Sequence, residues 1–241
     1  MDFELIADSF PKLISAMDET LMLAFTSVSI GFFVAIPIAV MRLSMSRFLS
    51  AIAYGYVYIF RSTPLLVQIF LIYYGSGQFR PFLQAVGLWV VLREAWFCAI
   101  LALMLNTAAY TSEIIRGGIQ SVPWGQLEAA RAIGMSGLLL FRRIIFPVAV
   151  RQALPAYGNE LMLMVKATSL ASTITIIEIT GMAKKIIAAT YRPIEVFLIA
   201  GSIYLAINFL ISRGIVLTEN WLNPHLRRLR QTEKTSVSTR A

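Results

Sequence analysis

The stretch Gln126-Leu-Glu-Ala-Ala-Arg-Ala-Ile-Gly134, which continues to Pro147, is the most distinctive part of this sequence. It is the only long interval in the middle of a hydrophobic chain that combines charged residues, small residues and residues that end helices. Glu128 to Ile133 include strong helix formers, and Gly134 stands where a helix ends in a left-handed residue. The stretch therefore predicts a short exposed helix that contacts another molecule.

The rest of the chain is typical of a polytopic membrane protein. Of its 241 residues, 58% are hydrophobic and only 14% are charged, whereas soluble domains carry about 25% charged residues. The net charge of +8 does not indicate nucleic-acid binding, because no basic patch is interleaved with exposed aromatic residues. A single cysteine, Cys98, and a single histidine, His225, exclude an internal disulfide and histidine-based chemistry. We therefore expect neither catalytic residues nor a metal site.

Five apolar segments have about the length of 20 residues with which a helix crosses a bilayer. They run over residues 20–41, 48–74, 95–112, 155–177 and 196–212. The second segment contains Arg61-Ser-Thr-Pro64, and we expect a kink there because proline removes a helical hydrogen bond. Residues 75–94, with Trp89 and the nearby Trp96 as interfacial anchors, predict an external loop lying partly in the membrane surface. The predicted fold class is an all-α integral membrane protein with five transmembrane helices.

The lysines and arginines predict the orientation of these spans, because cytoplasmic loops carry an excess of positive charge. With the N-terminus outside and the C-terminus inside, thirteen of the 21 fall in the cytoplasm, six fall outside, and Arg61 and Lys166 lie within spans. The acidic head differs from a signal peptide, so we expect the first span to be retained. We predict an extracytoplasmic head (1–19), a transmembrane domain (20–215) with a cytoplasmic loop over 117–147, and a basic cytoplasmic tail (216–241).

Within the cytoplasmic loop, Glu128 is predicted to lie in the first turn of the short helix, where a carboxylate suits the positive end of the helix dipole. The small residues after it allow the close approach of a partner. A second, amphipathic segment over residues 135–146 carries Arg142, and Pro147 is predicted to end it before the next span. On composition alone, an ordinary cytoplasmic loop helix is the simpler interpretation.

The spacing of this stretch resembles the EAA loop of importer-type ABC transporter permeases: Glu128-Ala-Ala130, three residues, Gly134, nine residues, Ile144, two residues, Pro147. Five further segments within residues 20–213 extend the resemblance: Arg61-Ser-Thr-Pro-Leu-Leu66, Asn106-Thr-Ala-Ala-Tyr110, Glu113-Ile-Ile-Arg-Gly-Gly118, Ser121-Val-Pro123 and Leu154-Pro-Ala-Tyr-Gly-Asn-Glu160. The chain resembles polar amino-acid permeases of the histidine, glutamine, arginine and opine family, and within it most of all the M-type subunits of histidine, octopine and nopaline systems. Ser62 departs from the family's usual glycine and leaves the local backbone less free.

The resemblance implies a type I importer (MetI-like) permease fold and a subunit of an ATP-driven importer in the bacterial inner membrane. Such an importer moves amino acids, here basic amino acids or opines, by alternating access. It also implies three partners: a second permease, more often a paralogue than a copy, an ABC ATPase dimer that receives the EAA loop as a coupling helix, and an extracytoplasmic binding protein. The coupling residues that it implies are Glu128, Ala129, Ala130, Gly134, Arg142 and Pro147.

The division of labour between subunits also follows from the sequence itself. The chain contains no Gly-Lys dipeptide and hence no P-loop, so ATP and magnesium belong to a partner ATPase. We expect no enzyme activity and no cofactor in this chain, whose other contacts are membrane lipid and solute.

Ionisable residues inside the fourth span are candidate solute contacts, because such residues usually face a bundle interior or a wet cavity. Glu160 suits the amino or guanidinium group of a basic solute, and Lys166 lies about 240° further around a regular helix, so the two should not pair. The alternative is that Glu160 pairs with Arg61 or Lys166 to hold the fold. The candidate solute-pathway residues are Arg61, Thr63, Asn159, Glu160, Lys166, Ser169, Ser172 and Thr173.

Two other function classes fit the sequence less well than an importer permease. An intramembrane enzyme would need a convergent set of catalytic groups, which the sequence lacks. An ATPase-independent secondary carrier or channel for amino acids would use in-membrane charges, often with inverted repeats, and no clear internal repeat is present. Retention of an ATPase and a second permease in a detergent pull-down separates an importer permease from a carrier.

Overall fold

The structure is a computed structural model that describes residues 3–222. Most of the predicted basic tail (216–241) lies outside the described residues, and so does His225. The described chain is built from helices, and no strand occurs in it. Its first half contains α1 (Phe3–Ser15), α2 (Met17–Leu43), α3 (Arg47–Ser62), α4 (Leu65–Gln78), α5 (Arg80–Ala85) and α6 (Trp89–Leu92).

The second half begins with the most buried of the long helices. It contains α7 (Ala95–Gln120), α8 (Trp124–Ala132), α9 (Gly137–Leu140), a π-helical turn (Phe141–Ile145), α10 (Phe146–Ala167), a 3-10 helix (Thr168–Ile174), α11 (Ile179–Thr190) and α12 (Pro193–Leu222). Helix α7 packs against α2, α3, α4 and α10 and so forms the centre of the bundle.

The predicted number of five spans is confirmed when each of two bent helix pairs is counted as one span. Three stretches are long and apolar enough to cross a membrane: Glu4–Leu43, Ala95–Gln120 and Pro193–Leu222. Two bent helix pairs bring the number to five if each pair is one span, namely Arg47–Ser62 with Leu65–Gln78 and Gly137–Ile174 with Ile179–Thr190. The predicted orientation of these spans in the membrane stays a prediction.

The expected kink at Pro64 is a full break, with an angle of 101° between α3 and α4. A break exposes carbonyls that have no partner within their helix, and these need other donors. The buried amide of Gln68 donates from Nε2 to Phe60 O (2.9 Å) and to Thr63 Oγ1 (2.8 Å). Asn106 of α7 donates from Nδ2 to Phe60 O (3.2 Å) and to Gln68 Oε1 (3.1 Å). The break is therefore clamped to the central helix.

Close packing of α2 against α7 depends on small residues. A Cβ atom added at Gly31 would lie 2.4 Å from Thr107 Cγ2 and 3.1 Å from Met104 O, so a larger residue does not fit there. Ala35 and Ala39 continue the same buried face of α2. The two helices approach each other closely because interfaces between membrane helices favour such small residues.

The helices extend beyond the predicted spans. The helices that contain the third (95–112) and fifth (196–212) predicted spans continue to Gln120 and Leu222. The helix of the fourth predicted span begins at Phe146, and Pro155 lies inside it. The prediction that Pro147 ends the preceding segment is wrong, since Pro147 occupies the first turn of α10. The π-helical turn before it already departs from the regular hydrogen-bond pattern that a proline would disrupt.

Candidate functional site

The cytoplasmic loop predicted from the sequence forms a short helix with a well-defined start and end. Pro123, in an extended conformation, precedes α8, and Gly134 follows it with φ +84°. Gly134 N donates to Arg131 O (2.9 Å) and Met135 N donates to Ala130 O (3.0 Å), the two bonds of a Schellman motif. The predicted left-handed glycine is therefore confirmed.

Glu128 occupies a different position in α8 from the predicted one. Because the helix begins at Trp124, Glu128 is past the first turn, and no acidic residue lies there. The predicted interaction of Glu128 with the positive end of the helix dipole is therefore wrong. Glu128 is instead an exposed charge on the side of the helix.

The outer surface of the loop is available to a partner. Trp124, Ile133 and Leu138 are each more than 70% exposed, and Glu128 and Arg142 are exposed and form no ion pair with any described residue. Exposed apolar side chains interspersed with unpaired charges are typical of a docking surface. We call Trp124, Glu128, Ala129, Ile133, Leu138 and Arg142 the coupling surface.

Of the predicted coupling residues, Ala130 faces inward and Pro147 belongs to the next helix. Ala130 is only 4% exposed and packs inside the loop, whereas Ala129 is exposed. Pro147 lies at the start of α10, where the loop enters the membrane-spanning bundle. These residues position the coupling surface, and Ala129 belongs to it.

An ion-pair cluster that sequence reasoning missed joins the end of α2 to α7 near the start of the loop. Glu113 of α7 accepts from Arg42 Nε at the end of α2 (3.0 Å) and from an Arg116 guanidinium nitrogen (2.6 Å). Arg116 also donates to Gln120 Oε1 (2.6 Å), and Arg42 lies over the Tyr54 ring, 5.0 Å from its centroid. The carboxylate is mostly buried, at 14% exposure. The motif Glu113-Ile-Ile-Arg116, a carboxylate and a guanidinium three residues apart, was the available signal.

The end of α7 also packs directly on α10. A Cβ atom added at Gly118 would lie 2.7 Å from Ala149 O and 3.1 Å from the Cβ of Ala153. The end of α7, where the loop begins, is thus in contact with the start of α10, where the loop ends.

Glu160 lies in the middle of α10, buried at 5% exposure. Its Oε1 accepts a hydrogen bond from Thr107 Oγ1 of α7 (2.8 Å), while Oε2 has no hydrogen-bond partner in the described chain. Neither Arg61 nor Lys166 lies within 4 Å of this carboxylate, so no direct ion pair forms. Arg61 stacks over the Tyr110 ring at 5.0 Å and attracts the Glu160 carboxylate at longer range. One carboxylate oxygen thus stays available inside a span.

Lys166 lies near the end of α10 and faces α12, and it does not pair with Glu160, as its spacing predicts. It lines a groove of about 610 Å³ together with Asn159, Leu163, Gly201, Tyr204 and Asn208. We call this the α10–α12 groove. A smaller adjoining cavity of about 330 Å³ shares Lys166 and Tyr204 and adds Ser169 and Thr180. Lys166, Asn159 and Ser169 therefore lie together, and Glu160 lies on the other side of the helix.

The remaining predicted pathway residues have their hydrogen-bonding groups occupied. Thr63 donates to Ile59 O and accepts from Gln68, so it belongs to the break between α3 and α4. Ser172 donates to Ser169 O and accepts from Lys184 Nζ (2.8 Å). Thr173 donates to Leu170 O within its own 3-10 helix. The described structure does not bring these three hydroxyls to Glu160.

A second buried carboxylate, Glu178, was also missed. It is 0% exposed and stands at the start of α11, where its Oε1 accepts from Gly181 N (2.8 Å) and its Oε2 accepts from Tyr204 OH (2.6 Å). A Cβ atom at Gly181 would lie 2.4 Å from Ile176 O, so the turn requires glycine. The sequence gives no clear signal for this role, because glutamate is not among the residues that usually cap the start of a helix. Glu178 fixes Tyr204 in the wall of the α10–α12 groove.

Among residues 3–222, no group of three or more histidine, cysteine, aspartate or glutamate side chains could hold a metal ion. Glu160 and Lys166 place a carboxylate and an ammonium group on different faces of α10, and the same helix continues toward the coupling surface. Glu160 and Phe146 are about 21 Å apart along a regular helix.

Comparison with known proteins identifies the family of the chain. Residues 27–223 match the family model described as binding-protein-dependent transport system inner membrane component. The chain is 69% identical over 227 residues to the nopaline transport system permease protein NocM of Agrobacterium fabrum, covering 94% of each chain. It is 54% identical over 224 residues to the octopine transport system permease protein OccM of Rhizobium meliloti, covering 93% of this chain and 91% of that one.

A solved structure shows the same fold. The crystal structure of an amino acid ABC transporter with histidines superposes with a TM-score of 0.80 at 36% identity, covering 91% of this chain and 98% of that chain. The predicted permease fold and the resemblance to amino-acid and opine permeases are thus confirmed. On the strength of the match over residues 27–223, the chain belongs to the family of binding-protein-dependent transport system inner membrane components.

Proposed function

We propose that this chain is the permease subunit of an ATP-driven ABC importer that moves basic amino acids or opines across the bacterial inner membrane by alternating access. The names of the relatives, which are nopaline and octopine transport permeases, support this solute class. The observation that carries the proposal at the level of the site is Glu160, a carboxylate inside a span with one oxygen free of protein partners. We propose that this oxygen receives the guanidinium or amino group of the solute.

The coupling surface supports an ATPase partner. It presents exposed apolar side chains and unpaired charges, and the loop that carries it contacts the base of α10 through Gly118. Because the sequence has no P-loop, the energy for transport comes from a separate ATPase dimer that binds ATP and magnesium. In this proposal α8 inserts into the ATPase, and its movement is transmitted along α10 to Glu160.

A second permease and a binding protein complete the proposed assembly. Helix α12 is the least buried of the long helices and carries exposed leucines, such as Leu205 and Leu210, that suit contact with lipid or with another permease. The M-type resemblance favours a paralogue over a second copy. The head (1–19) is then extracytoplasmic, residues 20–215 form the transmembrane domain with its cytoplasmic EAA loop (117–147), and the tail (216–241) is cytoplasmic.

The proposal is tested in proteoliposomes that contain the complete transporter, with the binding protein added outside. Glu160→Gln is expected to lower uptake of basic solutes by about tenfold or more, because a hydrogen bond to a charged group is worth about 1.5–3 kcal/mol. Its matched control is Glu94→Gln, which changes an exposed carboxylate paired with Arg93 and should leave uptake unchanged.

A detergent pull-down decides between function classes. The importer retains an ATPase and a second permease of similar size, whereas a secondary carrier or channel retains neither. Uptake that is unaffected by Glu160→Gln removes Glu160 from the solute pathway. Uptake without any retained ATPase contradicts the proposed importer.

A further inference from the structure

We infer that the α10–α12 groove receives a helix of the second permease, and that this helix carries a carboxylate that pairs with Lys166. The inference rests on the function proposed above, which requires a second permease. It names the surface and the charge through which the two subunits meet. It also makes the partner a different chain rather than a second copy of this one.

The charge of Lys166 is not neutralised by any part of the chain that the structure describes. Its ammonium forms no hydrogen bond or ion pair with residues 3–222, and no acidic side chain of that range lines the groove. Charged side chains inside membrane spans usually pair with one another or mark a solute path. The groove opens on a different face of α10 from Glu160, which faces α7. Lys166 therefore calls for a carboxylate from outside this chain.

A second polar group shows that the partner is a helix rather than a lipid. Asn208 lines the groove with Lys166 and donates from Nδ2 to Tyr204 O (2.8 Å), while its buried Oδ1 has no hydrogen-bond partner among the described residues. Buried acceptors are normally satisfied. Asn208 lies in the middle of α12 (Pro193–Leu222), whereas lipid headgroups lie at the ends of a span. A helix packed along the groove can reach both Lys166 and Asn208.

The groove also has the shape that a neighbouring helix needs. Gly201 lines it, and no atom lies within 4 Å of a Cβ atom added there, so the backbone of α12 is open to close approach. Interfaces between membrane helices favour such small residues. Leu205, one turn further along the same face, is 72% exposed and supplies apolar contact area. The groove therefore combines room for a helix with polar groups that fix its position.

A second copy of this chain does not supply the carboxylate. Two identical subunits pair about a two-fold axis, so that one surface patch meets itself, and the groove would then bring Lys166 toward Lys166. The buried acids of the same region are not free to pair across an interface, since Glu178 has both oxygens occupied and Glu160 faces α7. The partner is therefore a different permease with an aspartate or glutamate on the helix that enters the groove.

The test treats the complete transporter in its membrane with dicyclohexylcarbodiimide. This reagent activates a carboxylate, an adjacent lysine amine then forms an amide with it, and the carbodiimide leaves as the urea. Mass spectrometry of the digested complex is expected to find Lys166 joined to an aspartate or glutamate of the second permease. Lys166→Arg, which keeps the charge but not the amine, should lose this cross-link and retain the second permease within about twofold of the wild type. No cross-link from Lys166, or a cross-link to a second copy of this chain, overturns the inference.

Charge reversal gives an independent measurement. Lys166→Glu is expected to lower the amount of second permease that co-purifies with each copy of this chain about tenfold or more, because two carboxylates then face each other. Lys185→Glu is the matched control and should change this amount less than about twofold, since Lys185 is exposed on α11 and does not line the groove. A wild-type complex without a second permease refutes the proposed function itself. A wild-type complex that contains one, with equal recovery in Lys166→Glu, refutes only this inference.

Discussion

The coupling surface and the surroundings of Glu160 are built in opposite ways. The coupling surface comes from one continuous stretch, is exposed, and keeps Glu128 free of any ion pair among the described residues. Glu160 is buried and is held by Thr107, which lies 53 residues earlier on another helix. An exposed charge can be recognised by another protein, whereas a buried charge in a span acts only on what enters the bundle. In the proposed function the two glutamates therefore serve different molecules.

Disrupting the contact between α7 and α10 at Gly118 tests most directly whether the coupling surface and Glu160 depend on each other. Gly118→Leu is expected to abolish solute-stimulated ATP hydrolysis, because its side chain would meet the backbone of Ala149 and overpacking of this kind costs about 1–3 kcal/mol or more. Gly117→Leu is the matched control, since no atom lies within 4 Å of a Cβ atom added there. Hydrolysis assays of both variants check the prediction, and equal activity would show that the contact does not transmit coupling.

The ion-pair cluster at Glu113 gives the next largest effect. Glu113→Leu leaves Arg42 and Arg116 without their shared carboxylate, so we expect a loss of roughly 1.5–3 kcal/mol in the stability of the bundle. Glu94→Leu breaks an ion pair whose side chains are about half exposed, and it should cost under about 1 kcal/mol. Thermal unfolding of the purified complexes compares the two. A Glu113→Leu complex as stable as the control would mean that solvent screens this cluster.

The smallest expected effect concerns the hydrogen bond that holds Glu160. Thr107→Val removes a single donor with little change in shape, and the expected cost is about 1 kcal/mol, or roughly a fivefold weaker apparent solute affinity. Thr111→Val, one turn further along α7 and buried without contact to Glu160, is the control. Solute titrations of ATP hydrolysis measure both. A larger loss in the control would show that general packing of α7, and not this bond, sets the affinity.

The same contrast explains what the sequence could predict. Gly134 ends α8 as expected, and Pro64 marks the break between α3 and α4, because both effects depend on a few consecutive residues. The five apolar segments correspond to the three long helices and two bent pairs. Spans and turns are local properties of a chain. They can therefore be deduced without knowledge of packing.

The contacts at Glu160, at the break between α3 and α4, and at Glu178 are not local. Thr107 with Glu160, Asn106 with Gln68, and Tyr204 with Glu178 each join residues at least 26 positions apart. Periodicity and composition do not pair such positions, so sequence reasoning found Glu160 but missed the groups that orient it. Pro147 was misjudged for a related reason, since a π-helical turn allows a proline at the start of a continuing helix. The helix start at Trp124 likewise moved Glu128 out of the first turn.

The central claim is that Glu128 serves the ATPase and Glu160 serves the solute. It is tested most directly by measuring ATPase-subunit retention and solute-stimulated ATP hydrolysis side by side in Glu128→Lys, Glu160→Gln and the control Glu219→Lys, a charge reversal outside the coupling surface. The account predicts that Glu128→Lys releases or uncouples the ATPase, that Glu160→Gln retains the ATPase and loses only stimulation by basic solute, and that Glu219→Lys matches the wild type. Normal retention and stimulation in Glu128→Lys, or loss of the ATPase in Glu160→Gln, would contradict it.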